Sequence, residues 1–465
     1  MSVYYSDDLV TLHHGDCVEV MRELPDNSVD SVVTDPPYGL EFMGKDWDKF
    51  RLDDPGTNRN RGDRAGEQGR AGTESRGAFG RVAYGGGKHP RTSRCSSCGK
   101  RDQFRNPHDC DGTWISEVIN PNTAPPTSIA FQNWFQTIAL EAYRVLKPGG
   151  HLLAFGGTRT WHRLAVAIED AGFEVRDSIA WMYASGFPKS LDVSKAIDKR
   201  AGAEREVVGT AKGVGVSPED NQHGGINRGA VGIKQSAIDV PITAPATPAA
   251  QQWQGWGTAL KPAFEPIVVA RKPLDGTVAE NVLRWGTGAL NIDDSRISYA
   301  SEADKDQALA GDAFKRKDTS DKGWSRPWME DAERVAQMNA EAKQRAQSGR
   351  WPANVILDES QAAELDKQAE EHPARFFYVP KANASERPRD GDTAHPTVKP
   401  LDLMRYLVKL VTPPGGTVLE PFAGSGTTLE ACVIEGFAAI GIELTEDYLP
   451  LIVQRVTKPT QQVLL

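Results

Sequence analysis

The sequence contains no run of 18 apolar residues, which removes a membrane-spanning helix from the readings it permits. Its opening, MSVYYSDDLV, lacks the basic and then apolar pattern of a secretory signal. Cysteine is scarce, at five in 465 residues, an odd number that cannot all pair within one chain. Three of them (Cys95, Cys98, Cys110) crowd into one short stretch, and in a reducing compartment that spacing favours metal over disulfides. These absences make a soluble, cytoplasmic protein the expectation. The Gly-rich turn "FAGSG" is not a P-loop, because no lysine follows at the Walker spacing and Thr427-Thr428 stand there instead. No internal repeat is visible. The net charge of -9 weighs only weakly against a nucleic-acid partner, since the acidity is uneven. Between Arg51 and Arg105 there are 13 Lys and Arg against 6 Asp and Glu.

What is present is an α/β rhythm, broken twice. "LVTLHHGD" reads as a strand and turn, "CVEVMRELPDNS" as a short amphipathic helix and "SVDSVVTD" as a second strand. From about 50 to 94 the chain is rich in arginine and glycine, with almost nothing to form a core. Order resumes near 127. "FQNWFQTIALEAYRVLKPGG" predicts a helix stopping at Pro148-Gly149-Gly150, followed by the strand "HLLAFGG", the helix "TWHRLAVAIEDAG" and the strand "FEVRDSIAWMY". Residues 190–350 are mixed, with ordered islands such as "FEPIVVARKP" and "VAENVLRWGTGALNID". The last 70 residues return to the rhythm: helix "LDLMRYLVKLVTPPGG", strand "TVLEPF", turn "AGSG", helix "TTLEACVIEG", strand "FAAIGIEL" and helix "TEDYLPLIVQRV".

Neither end can cover both faces of a parallel sheet alone. Joined in space they form one doubly wound α/β unit with its start and end exchanged, and the crevice of such a sheet lies at the carboxyl ends of its strands. Asp35-Pro36-Pro37 and Glu420-Pro421-Phe422 both fall at such ends, so they are expected to flank one site. Either motif alone could be an ordinary strand-ending turn; together they are more specific.

"TDPPY" with "EPFAGSGTT" resembles the S-adenosylmethionine-dependent DNA amino-methyltransferases, and the order, catalytic motif first and cofactor motif last, resembles their β class. Gly15-Asp16, "RVLKPGG" at 144–150 and "HPTVKP" at 395–400 also match that family, and the likeness covers about 8–40, 127–190 and 350–455. It implies a Rossmann-like methyltransferase with permuted motif order. Residues 1–48 would be the catalytic half, 49–126 an insert and 127–190 more of the core. Residues 191–350 would be the target-recognition region, with Trp253, Trp256 and Trp285 as stacking or core residues, and 351–465 the cofactor half. The implied substrate is adenine N6 in double-stranded DNA, since "DPPY" leans that way; cytosine N4 is the alternative. An RNA methyltransferase and a non-catalytic DNA-binding protein fit less well. The setting would be a bacterial or phage-infected cell; a homodimer and a cognate restriction endonuclease stay open.

By the same resemblance, Asp35 and the Pro36 carbonyl accept hydrogen bonds from the target amine, Pro37 stiffens the turn and Tyr38 stacks on an extruded base. The cofactor would meet Gly424, Ser425, Gly426 and Thr427 at the turn, Phe422 at the pocket wall, and Glu420 beside it. Glu443 would hold the ribose hydroxyls, or simply neighbour a helix cap. Asp16 would take the adenine amine of the cofactor, or be a turn or cap residue, and Lys399 would border its methionine end. Separately from the family, Cys95, Cys98, His108 and Cys110 have the spacing of a structural zinc site, with His89 a rival ligand and free cysteines the alternative.

Overall fold

In the computed structural model the described residues are 2–38, 94–95, 114–115, 126–183, 186, 190–215, 236–310, 331–369, 372–380, 389–390, 393–394 and 398–458. In chain order they form β1 (Ser2–Ser6), β2 (Val10–His14), α1 (Cys17–Glu23), β3 (Val29–Thr34), β4 (Arg94–Cys95), β5 (Trp114–Ile115), α2 (Pro126–Val145) and β6 (Leu146–Phe155). Next come α3 (Trp161–Asp170), β7 (Glu174–Met182), α4 (Val193–Ala201), β8 (Val207–Gly215), β9 (Ser236–Thr243), α5 (Pro248–Gln252), β10 (Phe264–Arg271) and α6 (Val278–Trp285). The rest are α7 (Glu302–Ala310), α8 (Ala332–Ala346), β11 (Val355–Leu357), α9 (Glu359–Gln368), β12 (Arg389–Asp390), β13 (Thr393–Ala394), α10 (Leu401–Val411), β14 (Thr417–Glu420), α11 (Thr427–Glu435), β15 (Ala438–Glu443) and α12 (Leu449–Val456).

Nine strands make one sheet in the order β1-β2-β15-β14-β3-β6-β10-β7-β11. All run parallel except β1 and β10. The strands β2 and β3 are consecutive in the first part of the chain, yet two strands separate them. That gap is filled by β14 and β15, more than 380 residues further on. The two ends of the chain therefore complete one sheet.

Strand alternation sorts the core into two layers. From β6, Leu153 and Phe155 join Val33 and Ile267 under α10, α11 and α12, whereas Leu152 and Ala154 join Val32 and Val268 under α1, α2 and α3. Helices thus cover both faces, as a buried parallel sheet requires.

The structure departs from the sequence reading at two places. The helix α2 stops at Val145, three residues before Pro148, and Leu146 already pairs with Val29 of β3. A proline clashes with a helical neighbour before it and drives that residue into extended backbone, so the strand begins early. Gly149 then turns with φ +76°, and a Cβ there would stand 2.3 Å from the buried Asn281 amide. That amide donates to the carbonyls of Pro148 and Thr287, which docks α6 onto the start of β6. The second difference is β10, an island of the 191–350 interval, which lies inside the core sheet between β6 and β7.

Candidate functional site

The chain order β14→β15 moves to one side of the sheet and β3→β6 to the other, so the strand order reverses between β14 and β3. The crevice of a doubly wound sheet lies outside the carboxyl ends at such a point. Both motifs sit there. The residue before Asp35, Thr34, donates its hydroxyl to Glu420 Oε1 at 2.5 Å, and Thr428 donates to Oε2 at 2.7 Å. The Phe422 N–H adds a third bond at 3.0 Å. Glu420, 2% exposed, thus spends its carboxylate on tying the two motifs together. Burial pushes its carboxyl up to about 8, against the pull of those hydrogen bonds.

The turn after β14 is built on glycine: Gly424 has φ +54° and Gly426 φ +80°, a region that side chains disfavour. A Cβ at Gly426 would press on Ile452 at 3.1 Å. The hydroxyls of Ser425 and Thr427 are buried and turn inward to the Arg455 guanidinium, at 3.1 and 2.8 Å. Arg455 also pairs with the buried Glu430 of α11. Two polar side chains expected to meet cofactor are therefore held by an arginine of α12 that sequence reasoning passed over. Its surroundings of apolar helix, "LPLIVQRV", carry no signal for it. The Phe422 ring packs on Trp134 of α2, with ring centroids 5.9 Å apart.

On the other side of the turn, Glu443 ends β15 and accepts the Gly424 N–H at 2.7 Å and the Thr445 N–H at 2.8 Å. Burial raises its carboxyl above the ordinary range, with those backbone bonds opposing. Its own carbonyl accepts the Gly15 N–H at 3.0 Å, which brings Asp16 alongside. Asp16 caps α1, its Oδ1 accepting the Val18 and Glu19 N–H groups.

Asp35 opens a second cluster. Its Oδ1 accepts the Tyr38 hydroxyl at 3.0 Å and its Oδ2 lies 2.5 Å from Lys399 Nζ. Lys399 also reaches Glu265 at 3.3 Å, and Glu265 Oε2, 2.9 Å from the Tyr38 hydroxyl, shares its single hydrogen with Asp35. Burial pulls the Lys399 ammonium down, but the two carboxylates outweigh it and hold it above the usual lysine range. Burial first, and then the Asp35 and Glu265 charges, push the Tyr38 phenol up. Nearby, burial and Glu265 push Tyr183 up to about 12. Tyr38 packs against Gly157, and its carbonyl accepts the Thr160 hydroxyl at 3.1 Å. Glu265 was not legible in sequence: β10 runs antiparallel, so its first residues, not its last, lie at the active edge.

Cys98, His108, Cys110 and His89 lie outside the described residues, as does the side chain of Cys95. In the 191–350 interval, Trp253 and Trp256 form an exposed edge-to-face pair with centroids 4.9 Å apart. Trp285 donates its indole N–H to Asp275 at 3.1 Å.

A glycine turn lies at the switch point of this doubly wound α/β sheet, with a carboxylate on the adjoining strand end. Comparison with known proteins places the chain further. The model of the N6/N4 DNA methylase family matches residues 123–454, well over half the chain, and the chain belongs to that family. The matched span contains the glycine turn; Asp35 lies before it. The type II methyltransferase M.HindIII of Haemophilus influenzae is 22% identical over 423 residues, 90% of this chain and 86% of that protein. M.ScaI, a type II methyltransferase of Streptomyces caespitosus, is 33% identical over 93 residues, 20% of this chain and 31% of that protein. Among solved structures, the cytosine-N4-specific PvuII DNA methyltransferase is 13% identical with a TM-score of 0.40, over 98% of this chain and 89% of that one.

Proposed function

We propose that this DNA methylase acts at specific sites in double-stranded DNA, transferring a methyl group from S-adenosylmethionine to the N6 amine of adenine. The observation that carries the reading is the Asp35 carboxylate at the end of β3, one strand from the glycine turn after β14 and joined to it through Thr34 and Glu420.

The turn region fits the donor. The Gly424-Gly426 backbone admits close approach, and Glu443, at the end of β15 beside that turn, is proposed to face the ribose hydroxyls. When bound, S-adenosylmethionine supplies a methyl group activated by a sulfonium. Asp35 and the Pro36 carbonyl accept the two amine hydrogens, which localises the nitrogen lone pair and orients it. Bound there, the donor would supply its methyl group to that oriented lone pair and keep the sulfur's electron pair as a thioether, and the amine would release one proton to water. With its side chain 24% exposed, Asp35 is reachable by a base lifted from the duplex, and Tyr38 borders the same space. Exposed Lys195, Lys199 and Arg200 of α4, beside the Trp253–Trp256 pair, are proposed to track phosphates.

The decisive experiment is methylation of unmethylated genomic DNA by the purified protein, followed by nucleoside mass spectrometry. N6-methyladenine supports the reading, N4-methylcytosine selects the other base, and no product with intact cofactor binding overturns both. The zinc reading of Cys95, Cys98, His108 and Cys110 rests on spacing; metal analysis of wild type and Cys95→Ser tests it, and folded metal-free protein would sink it. Light scattering with and without DNA tests the homodimer.

A further inference from the structure

Among the described residues, the Asp35 cluster contains one cation in direct contact with the carboxylate that the proposed reaction uses. A lysine 2.5 Å from Asp35 cancels much of the negative charge that would otherwise favour a nitrogen turning positive. A second carboxylate, Glu265, faces the same ammonium at 3.3 Å and shares the Tyr38 hydroxyl. Among the described residues, the group formed by Asp35, Glu265 and Lys399 therefore carries two negative charges against one positive. Glu420, also near Asp35, adds little, because a carboxyl pushed up to about 8 is mostly protonated at neutral pH. Tyr38 and Tyr183 stay neutral there.

We propose that Glu265 is a positioning residue for methyl transfer. It compensates Lys399 and holds it and Tyr38 at the lip of the sheet, so that the site keeps one net negative charge where the amine nitrogen becomes positive. Lys399 in turn keeps two adjacent carboxylates from repelling each other and fixes Asp35 in place. The arrangement arises from topology. Lys399 enters just ahead of α10, Asp35 follows β3, and Glu265 comes from the start of the reversed strand β10.

The inference rests on the methyltransferase reading, and the test separates the two. Single-turnover methylation by wild type, D35A, E265Q, E265D and the double variant E265Q/K399M is measured, with melting curves to verify folding and KM for S-adenosylmethionine in parallel. E265Q keeps the shape and a hydrogen-bond acceptor but not the charge. It is expected to lower the rate about 10- to 100-fold, the effect of one charge several ångströms away at an effective dielectric of about 20, with KM for the donor unchanged. E265D, which keeps the charge, should be faster than E265Q. The double variant, returned to one net negative charge, should also be faster than E265Q. A purely structural role predicts the opposite for the double variant, in which the lysine no longer tethers Asp35. E265Q at the wild-type rate, or a double variant slower than E265Q, overturns the inference while an active wild type and inactive D35A leave the methyltransferase reading standing. Wild type that methylates neither base overturns both.

Discussion

At the residue scale, Asp35 is the group on which the proposed chemistry turns. Among the described residues, its carboxylate is bound by the Tyr38 and Lys399 side chains, which hold its position without burying it fully. Asp35→Ala should therefore cut turnover by at least about 100-fold, as losing one preorganised partner of a developing charge commonly does. Affinity for S-adenosylmethionine, measured by calorimetry, should stay within a few-fold of wild type; surviving turnover would remove Asp35 from the chemistry. Arg455 is a contrasting case. It is 1% exposed, and it joins Glu430 to both hydroxyls of the glycine turn. Replacing it with methionine leaves Glu430 buried with, among the described residues, the more distant Lys458 at 3.4 Å as its cation. Urea unfolding should then report a loss of about 3–5 kcal/mol, the usual effect of stripping one partner from a buried ion pair.

At the element scale, the joints between strands and helices are the sensitive points. Gly149→Ala places a side chain at φ +76° and against the Asn281 amide that holds α6, so a destabilisation of roughly 1–3 kcal/mol is expected. A variant with an unchanged melting temperature would show that this turn relaxes freely. The joint between β14 and β3 brings a pH dependence. The Glu420 carboxyl is raised by burial from the ordinary 4.5 to about 8, so between those values the native protein holds a proton that the unfolded chain has released. Stability therefore falls as pH rises through that window and levels off above it. Glu420→Gln, which cannot ionise, should flatten the slope in urea titrations between pH 5 and 8.5. If the slope survives, another group causes it. The elements themselves were largely legible. A run of apolar residues marked β6, because a strand buried on both faces needs apolar groups at successive positions. The end of α2 falls earlier than its pattern suggests, since Pro148 acts on the residues before it. The strand β1 carries no such mark, because its residues are mostly exposed and show no burial pattern.

At the scale of the whole molecule, the sheet depends on both ends of the chain. A protein ending at residue 412 would lose β14 and β15, leaving β2 and β3 with the gap between them open. Such a fragment should aggregate or show little cooperative unfolding by circular dichroism, and a monomeric fragment with a sharp transition would contradict the shared sheet. The interval 191–350 divides between the sheet, through β10, and a smaller unit organised around Asp198. That buried carboxylate receives Arg205 at 2.6 Å along with the Ala246 and Thr247 N–H groups. The exposed basic residues of α4 lie on this unit. A Lys199→Ala/Arg200→Ala protein should bind DNA more weakly, with the salt dependence of binding less steep by about one unit for each phosphate no longer neutralised. An unchanged salt slope would move the DNA path elsewhere.

The local pattern of the chain marked the two strand ends that the fold brings together. The residues that stop β3 and β14, prolines and glycines after buried apolar runs, are also those that expose a carboxylate and an approachable backbone. The likeness to a methyltransferase family could be read from them because such motifs are local. Tertiary structure alone decided what surrounds them. Glu265 reaches Asp35 only because β10 is reversed, and Arg455 reaches Ser425 only because α12 packs beside the turn. Glu420 and Asp16 likewise turn to partners within the protein, Thr34 and Thr428 for one and the first turn of α1 for the other. Long-range pairing of this kind leaves no periodic trace in the chain, since it depends on which strands become neighbours and in which direction they run.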